Sequence, residues 1–457
     1  MKTSKPLREL TLNLVKHIND HYESYVKYNS NLIDISNGNL KKYIEDSMKQ
    51  ELNPRAYERS RQRIPPINIL SKLQTKLSKV YAESPIRTCN STAIDKDLFE
   101  HYKEGWDLDE SLQYANDLLV INKYCALEPY QLEGEPRLRV LSAKDFIVYS
   151  DSRLNPNDMT VFIKFMGSTT KEVDSVKGLN KKEIKEVALF HAYSEDNFMI
   201  FDEDGDIHDY LDNPYEKIPF IYIRSNKNEL IPTPDSDNLP MTVLIPKLMT
   251  DLNYAVMFGC RSQIVGIDVE IDNLEMSPET LWVVNSTAGE GKSPSIDTIK
   301  SDVDVDKVLN LINNELGLWL DTKGIKSSAV GKTTVENSAS GISKLIDESD
   351  ASAVNRKYKK IFENVETKVW KLLPTLHKVW IQNGESDQAK DFSSEFNIST
   401  KLIESKIIPN RKELLEELKL EKELGIFNKQ DALKRLTPDA TDEDINDFVS
   451  KVEVSNE

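Results

Sequence analysis

Residues 341–380 read GISKLIDESDASAVNRKYKKIFENVETKVWKLLPTLHKVW. Within them Ile342, Leu345, Ile346, Val354, Tyr358, Ile361, Phe362, Val365, Val369, Leu372, Leu376 and Trp380 recur at helical spacing. One apolar face held over some forty residues predicts a helix of roughly 60 Å. Pro374 predicts a kink in it, because proline removes a hydrogen bond and crowds the carbonyl four residues back.

Immediately upstream, residues 321–340 are rich in Ser, Thr and Gly and read as a loop. Before the loop, Val308, Leu309, Ile312, Leu316 and Leu320 predict a helix over 303–320. Residues 266–302 read as a small strand-turn insertion, with Ile267, Val269 and Ile271 alternating ahead of Leu281-Trp282-Val283-Val284. From about Leu239 another helix is expected, with Leu244, Leu248, Leu252 and Val256 on one stripe and Pro246 in its first turn. Segments 137–149, 159–166, 187–193, 197–201, 206–210 and 218–223 are short, rich in Val, Ile, Phe and Tyr, and punctuated by Asp, Asn, Gly and Pro. They predict antiparallel sheet. Helical patterns occupy the N-terminal side to about Leu127, beginning with Leu7, Leu10, Leu14, Val15 and Ile18. Downstream of the long helix a short strand is expected near 395–399, then a helical cluster from Pro409 and an acidic end beyond Pro438. The class is α+β, mostly α.

The chain has 457 residues and a formal net charge of −17, with 39 % apolar and 30 % charged residues and 16 Gly. Such a lean, glycine-poor mixture favours long solvated helices over a tight α/β enzyme core. No apolar run reaches the length of a membrane span, and MKTSKPLREL is not followed by a continuous apolar stretch, so neither a span nor a secretory signal is expected. Cys89, Cys125 and Cys260 are few and far apart, which fits a reducing compartment better than a disulfide frame or a zinc site. The acidic balance disfavours non-specific nucleic-acid binding over the whole surface while leaving a local relation to DNA open.

Motifs of catalysis are weak. AGEGKS at 288–293 lacks the first glycine of a P-loop, where Ser286 stands, and has Pro294 where the helix should grow; GKTT at 331–334 has Lys326 at that glycine. His17 and His21 are spaced i, i+4, but Ile18 stands where the zinc-protease pattern needs Glu, and ordinary exposed histidines are the better reading. Asp202-Glu203-Asp204-Gly205-Asp206 resembles a calcium loop, yet Leu211 occupies the bidentate Glu position, so a hairpin turn at Asp-Gly is expected. No enzyme activity and no cofactor are expected.

Two basic features stand out. Arg55, Arg59, Arg61 and Arg63 lie in the most positive region and suit either a partner acid or phosphate, or a plain solvated helix face. Lys323, Lys326 and Lys332 lie in a stretch without an acid, while Asp302, Asp304, Asp306, Glu315 and Asp321 precede it and Glu336, Asp347, Glu348 and Asp350 follow. A basic loop between two long helices invites contact with a polyanion, against the blander reading of a helix connector.

The order of these parts resembles the portal proteins of tailed bacteriophages. The resemblance is carried by Lys217-Ile218-Pro219-Phe220-Ile221-Tyr222 with the polar approach 226–239, by Leu252-Asn253-Tyr254, by Glu336-Asn337-Ser338-Ala339-Ser340-Gly341-Ile342, and by Ala143-Lys144-Asp145-Phe146-Ile147-Val148-Tyr149 with Asp151. It spans about residues 60–440 and lies mainly in collinear order. It implies a wing over 1–238, a first stem helix over 239–264, a small α/β clip over 265–302, a second stem helix over 303–322, a tunnel loop over 323–340, a long kinked wing helix with a return strand over 341–399, and a helical crown over 400–457.

It also implies a homo-oligomeric ring of about twelve subunits at one capsid vertex of a virion, assembled in the host cytoplasm. That ring passes double-stranded DNA without reading its sequence. Its partners are the terminase large subunit, a head-tail connector or adaptor, and the major capsid or scaffold protein; no membrane is involved. Lys323, Lys326, Lys332, Thr333 and Thr334 would then border the DNA channel, and Asp268, Glu270, Trp282 and Lys292 would dock terminase or connector. Arg55, Arg59, Arg61 and Arg63 would meet capsid or another partner. A net −17 per subunit would repel the DNA backbone and let it slide. The competing expectations are a virion adaptor or scaffold protein without a channel, and an enzyme whose nucleotide pocket in 265–302 is lost in Lys292→Ala.

Overall fold

The structure is a computed structural model. It describes residues 3, 5–65, 67–176, 179–260, 263–267, 269–270, 285–286, 295–299, 304–325, 341–386, 388, 390–403, 411–423 and 432. The class is α+β with antiparallel sheets, built around two apolar cores.

The first core is formed by helices. They are α2 (Tyr28–Asp34), α3 (Leu40–Glu51), α4 (Pro54–Ser60), α5 (Ile69–Leu77), α6 (Ala93–Gly105) and α7 (Leu108–Asn122), preceded through a π-helical turn by α1 (Leu7–His21), which packs elsewhere. The quoted stretch forms one helix, α10 (Gly341–Gln382), which continues through Pro374. Its buried face carries Tyr358, Phe362, Val365, Val369, Leu376 and Trp380 as the periodicity predicts, widened by Trp370 and Leu373. Trp370 packs on Phe99 of α6 at 4.9 Å, and Trp380 stacks with Tyr102 at 6.1 Å. The same face buries two polar groups, Glu366 and His377, both fully enclosed. His377 donates from Nε2 to the Lys390 carbonyl (2.8 Å), which leaves Nδ1 to accept from Tyr102 Oη (2.6 Å). Burial holds its pKa below the ordinary value, so the ring is neutral.

The second core lies under a five-stranded sheet with order β4-β5-β6-β7-β8: β4 (Phe146–Tyr149), β5 (Val161–Val176), β6 (Leu179–Tyr193), β7 (Asn197–Asp202) and β8 (Ile207–Asp212). Its buried side chains include a stacked run in which Phe162 lies 4.7 Å from Phe146 and 4.1 Å from Phe220. Leu7, Leu10, Leu14 and Ile18 of α1 belong to this core, so the first sequence stripe seals the sheet. β7 and β8 are joined at Gly205, whose φ of +88° is the left-handed turn expected at Asp-Gly. Lys171 holds Asp202, Asp204 and Asp206, so an internal cation neutralises the acids of that turn.

A smaller sheet, β3-β2-β9, joins the two cores through β2 (Tyr124–Leu132), β3 (Glu135–Leu141) and β9 (Ile221–Arg224). Here the sequence reading needs correction. The helical pattern was expected to reach Leu127, but α7 stops at Asn122 and Lys123 turns into the left-handed region (φ +68°). Tyr124–Leu132 is then claimed as a central strand by partners on both sides. Segment 137–149 is likewise two strands with a turn between them. The strand expected at 395–399 is β14 (Ile398–Lys401), paired with β1 (Ile86–Cys89), a strand that local pattern did not reveal.

His17 and His21 are also not ordinary exposed histidines. His17 Nε2 donates to the Val148 carbonyl (2.9 Å), and His21 Nδ1 donates to the His17 carbonyl (2.9 Å). Burial, reinforced by the neighbouring His21 charge, lowers the His17 pKa to about 4. A histidine whose folded pKa is depressed stabilises fully above its unfolded pKa of 6.5 and loses that contribution as pH falls toward 4. Urea midpoints at pH 7 and pH 5 test this: His17→Gln keeps a donor for Val148 and should lose about 2 kcal/mol less than wild type between the two.

Among the described residues no helix is long and apolar enough to cross a membrane.

Candidate functional site

The functional candidates converge on two helices and what connects them. α8 (Asn238–Cys260) and α9 (Val305–Thr322) pack against one another. Between them β10 (Gln263–Ile267) pairs antiparallel with β13 (Ser295–Ile299), and β11 (Val269–Glu270) with β12 (Asn285–Ser286). The insertion is thus a β-ribbon that leaves from the end of one helix and returns to the start of the other. α8 begins at Asn238, within one residue of the start that the sequence implied. Pro240, not Pro246, occupies its first turn, and Pro246 is internal, the correction to the sequence reading. Thr242 Oγ1 donates to the Asn238 carbonyl (2.6 Å) and Thr250 Oγ1 to the Pro246 carbonyl (2.8 Å), so side chains bond the backbone on both sides of the proline.

α9 opens with Asp304, whose carboxylate caps Lys307 N at 3.1 Å. It closes in a Schellman arrangement: Ile325 N donates to the Leu320 carbonyl (3.0 Å) and Gly324 N to the Asp321 carbonyl (3.1 Å). Gly324 has φ +73°, and a Cβ there would stand 3.3 Å from Val354 Cγ2 of α10. The left-handed cap and the close approach both call for glycine. Leu320 and Ile325, the apolar pair of the motif, are both buried.

Lys323 sits at this cap and reaches back to the start of α8. Its Nζ lies 3.0 Å from Asp235 Oδ2 and 2.8 Å from Asp237 Oδ1. Lys123, at the end of α7, contacts Asp235 Oδ2 at 2.8 Å, and Tyr28 Oη donates to the Asp235 carbonyl at 2.8 Å. The Lys323 side chain is only 12 % exposed. Acids near a helix start and a lysine at a helix end complement both macrodipoles. Although burial opposes it, the two lysines hold the Asp235 carboxyl below its usual range. These four charges fix where the chain leaves α9 and where it enters α8. Replacing Lys323 by Met leaves Asp235 with Lys123 alone. The Asp235 pKa, followed by NMR, should rise, and stability at pH 7 should fall by about 1 kcal/mol. An unchanged Asp235 titration would remove the clamp.

The remaining sequence candidates fall as follows. Lys326, Lys332, Thr333 and Thr334 lie outside the described residues, as do Asp268, Trp282, Lys292 and both phosphate-like motifs. Glu270 pairs with Asn285 in the small ribbon. Arg55 and Arg59 are exposed on α4. Arg61 contacts Glu58 at 2.9 Å and lies over the Tyr57 ring, while half-buried Arg63 lies over the Tyr254 ring of α8 at 5.8 Å. The arginine cluster therefore splits into two outward charges and two that brace α4 and α8. Asp235, Asp237 and Lys123 went unread in the sequence, because nothing local links positions so far apart.

One face of α9 is left uncovered by the described residues. Leu311 and Leu318, seven residues apart, are 51 % and 70 % exposed, and Lys307 and Asn314 flank them in solvent. The opposite face buries Ile312, Trp319 and Leu320.

Among the described residues no group of three His, Cys, Asp or Glu side chains is placed to hold a metal ion. No protein-family profile matches the chain, and no curated protein does. Among solved structures it is similar to a chain of the virion of a native gene transfer agent particle, with 13 % identity, 82 % of this chain and 91 % of that chain covered, and a TM-score of 0.34. A chain from the neck of an empty gene transfer agent particle gives 12 % identity, the same two coverages and a TM-score of 0.35.

Proposed function

We propose that the chain is the subunit of a portal-type ring at one vertex of a virion capsid, a conduit for double-stranded DNA and a docking platform for terminase and connector proteins. The observation that carries this reading is the order of elements around α8 and α9. A wing of helices and antiparallel sheet leads into a paired stem, a β-ribbon insertion stands at one end of that pair, and a 42-residue helix comes next among the described elements. The uncovered Leu311 and Leu318 stripe on α9 supports it as a surface for the next copy.

In this reading 265–302 is the clip, with Asp268, Glu270, Trp282 and Lys292 toward terminase or connector. Lys323 anchors the base of the tunnel loop to Asp235 and Asp237 and does not itself meet DNA. Lys326 and Lys332, with Thr333 and Thr334, are the loop residues that would meet phosphates without reading bases. Arg55 and Arg59 are the arginines left to contact capsid or scaffold. The chain performs no chemistry.

Native mass determination with negative-stain imaging tests the proposal. Twelve copies of a 52.2 kDa chain give about 630 kDa, and an annulus with a central hole is expected near that mass. Compact particles without a hole favour a virion adaptor that has no channel.

A further inference from the structure

A second feature lies away from the stem, where β9 and the chain leading into it cross the middle of α10. There a cleft of ≈ 670 Å³ opens to solvent. Its wall carries Lys217, Arg224, Lys227, Lys368 and Lys371 against two carboxylates, Asp158 and Glu195. In a chain of net charge −17 this is a concentrated positive site. Its floor is apolar, with Phe220 and Ile221 from the strand side and Val365 from the helix. Arg224 is held in place, its Nη1 donating to the Glu229 carbonyl (2.6 Å) and Nη2 lying 3.8 Å from Asp158. Lys368 is pressed toward its neutral form by burial and by the Lys227 and Arg224 charges, which Asp158 only partly offsets. Like charges kept together at this cost point to an anionic occupant.

An occupant must supply several carboxylates and an apolar side chain together. Segment 441–449 reads TDEDINDFV: Asp442, Glu443, Asp444 and Asp447 surround Ile445 and Phe448. We propose that this cleft seats segment 442–449 of the same chain, where the covalent tether raises its effective concentration, with Phe448 on the apolar floor and the carboxylates among the lysines. The pairing tethers this acidic segment to the long helix. It does not depend on the ring reading, since the contact lies within one chain.

The test places a photo-crosslinking benzoylphenylalanine at position 448 of the full chain and maps the products by mass spectrometry. Crosslinks are expected within 217–227 and 361–372. Lys368→Glu with Lys371→Glu, both on α10, should cut their yield at least about fivefold with an unchanged far-UV spectrum. Adding Asp442→Lys and Asp444→Lys to that variant should restore the yield. Crosslinks mapping elsewhere, or equal yields from the wild-type and charge-reversed chains, overturn the proposal.

Discussion

Glu366→Ala is expected to unfold in urea at a free energy about 3–5 kcal/mol below wild type, the largest single effect anticipated for this chain. The Glu366 carboxylate has no exposed surface. Arg87 of β1 grips it with two bonds, Nε to Oε2 at 2.7 Å and Nη2 to Oε1 at 2.9 Å. Tyr81 Oη donates to Oε1 at 2.9 Å and Thr400 Oγ1 of β14 to Oε2 at 3.0 Å. Truncation to Ala leaves the Arg87 guanidinium, 5 % exposed, with Asp109 alone at 2.6 Å, and strips Tyr81 and Thr400 of their acceptor. The loss comes mainly from that stranded charge, not from the net worth of the pair, since burying two ions costs much of what their attraction returns. A second variant separates the two contributions: Glu366→Leu with Arg87→Met should recover most of the stability, because no charge is left buried. Equal instability of Glu366→Ala and the double variant would show that packing, not charge, holds α10 to the β1–β14 pair.

Leu311→Glu with Leu318→Glu is expected to abolish closure of the proposed ring while leaving the folded subunit intact. The two leucines keep 51 % and 70 % of their surface in solvent, so the subunit alone gains little from them. Covering what remains exposed is worth about 1–2 kcal/mol each, or about tenfold in association per residue at every interface. A closed ring repeats the loss at each contact and adds the cost of burying a carboxylate. Native mass spectra should then show monomer where the wild type is expected to show the proposed ring. Subunit unfolding in urea should shift by no more than about 0.5 kcal/mol. Rings of full mass from the variant would place the stripe outside the interface.

What local sequence fixes is visible in α10 and α1. Both carry an apolar face at helical spacing, a property that neighbouring residues alone can set, and in both the face that periodicity picks out is the face that is buried. The Asp-Gly turn between β7 and β8 was legible for the same reason, since positive φ is a local demand. Periodicity also separated α8 and α9 from the strand-rich insertion between them and set the start of α8 within one residue, although Pro246 lies inside that helix and not in its first turn.

Partners distant in sequence settled the rest. Tyr124–Leu132 contains Ala, Leu and Glu, which suit a helix, and became a strand because β3 and β9 offered hydrogen bonds on both edges. Ile86–Cys89 became a strand only because Ile398–Lys401 lies beside it. Glu366 read as one more polar residue on a helix until Arg87, Tyr81 and Thr400 converged on it. Lys323 read as a free positive point of a basic loop, and only folding brought Asp235 and Asp237 to it. The sequence alone determined the order of elements and the apolar face of each helix, because dihedral preference and side-chain period act between neighbours. The tertiary structure alone decided which charges are paired and which stand open to a partner, because an ion pair depends on distance in space and leaves no mark on spacing along the chain.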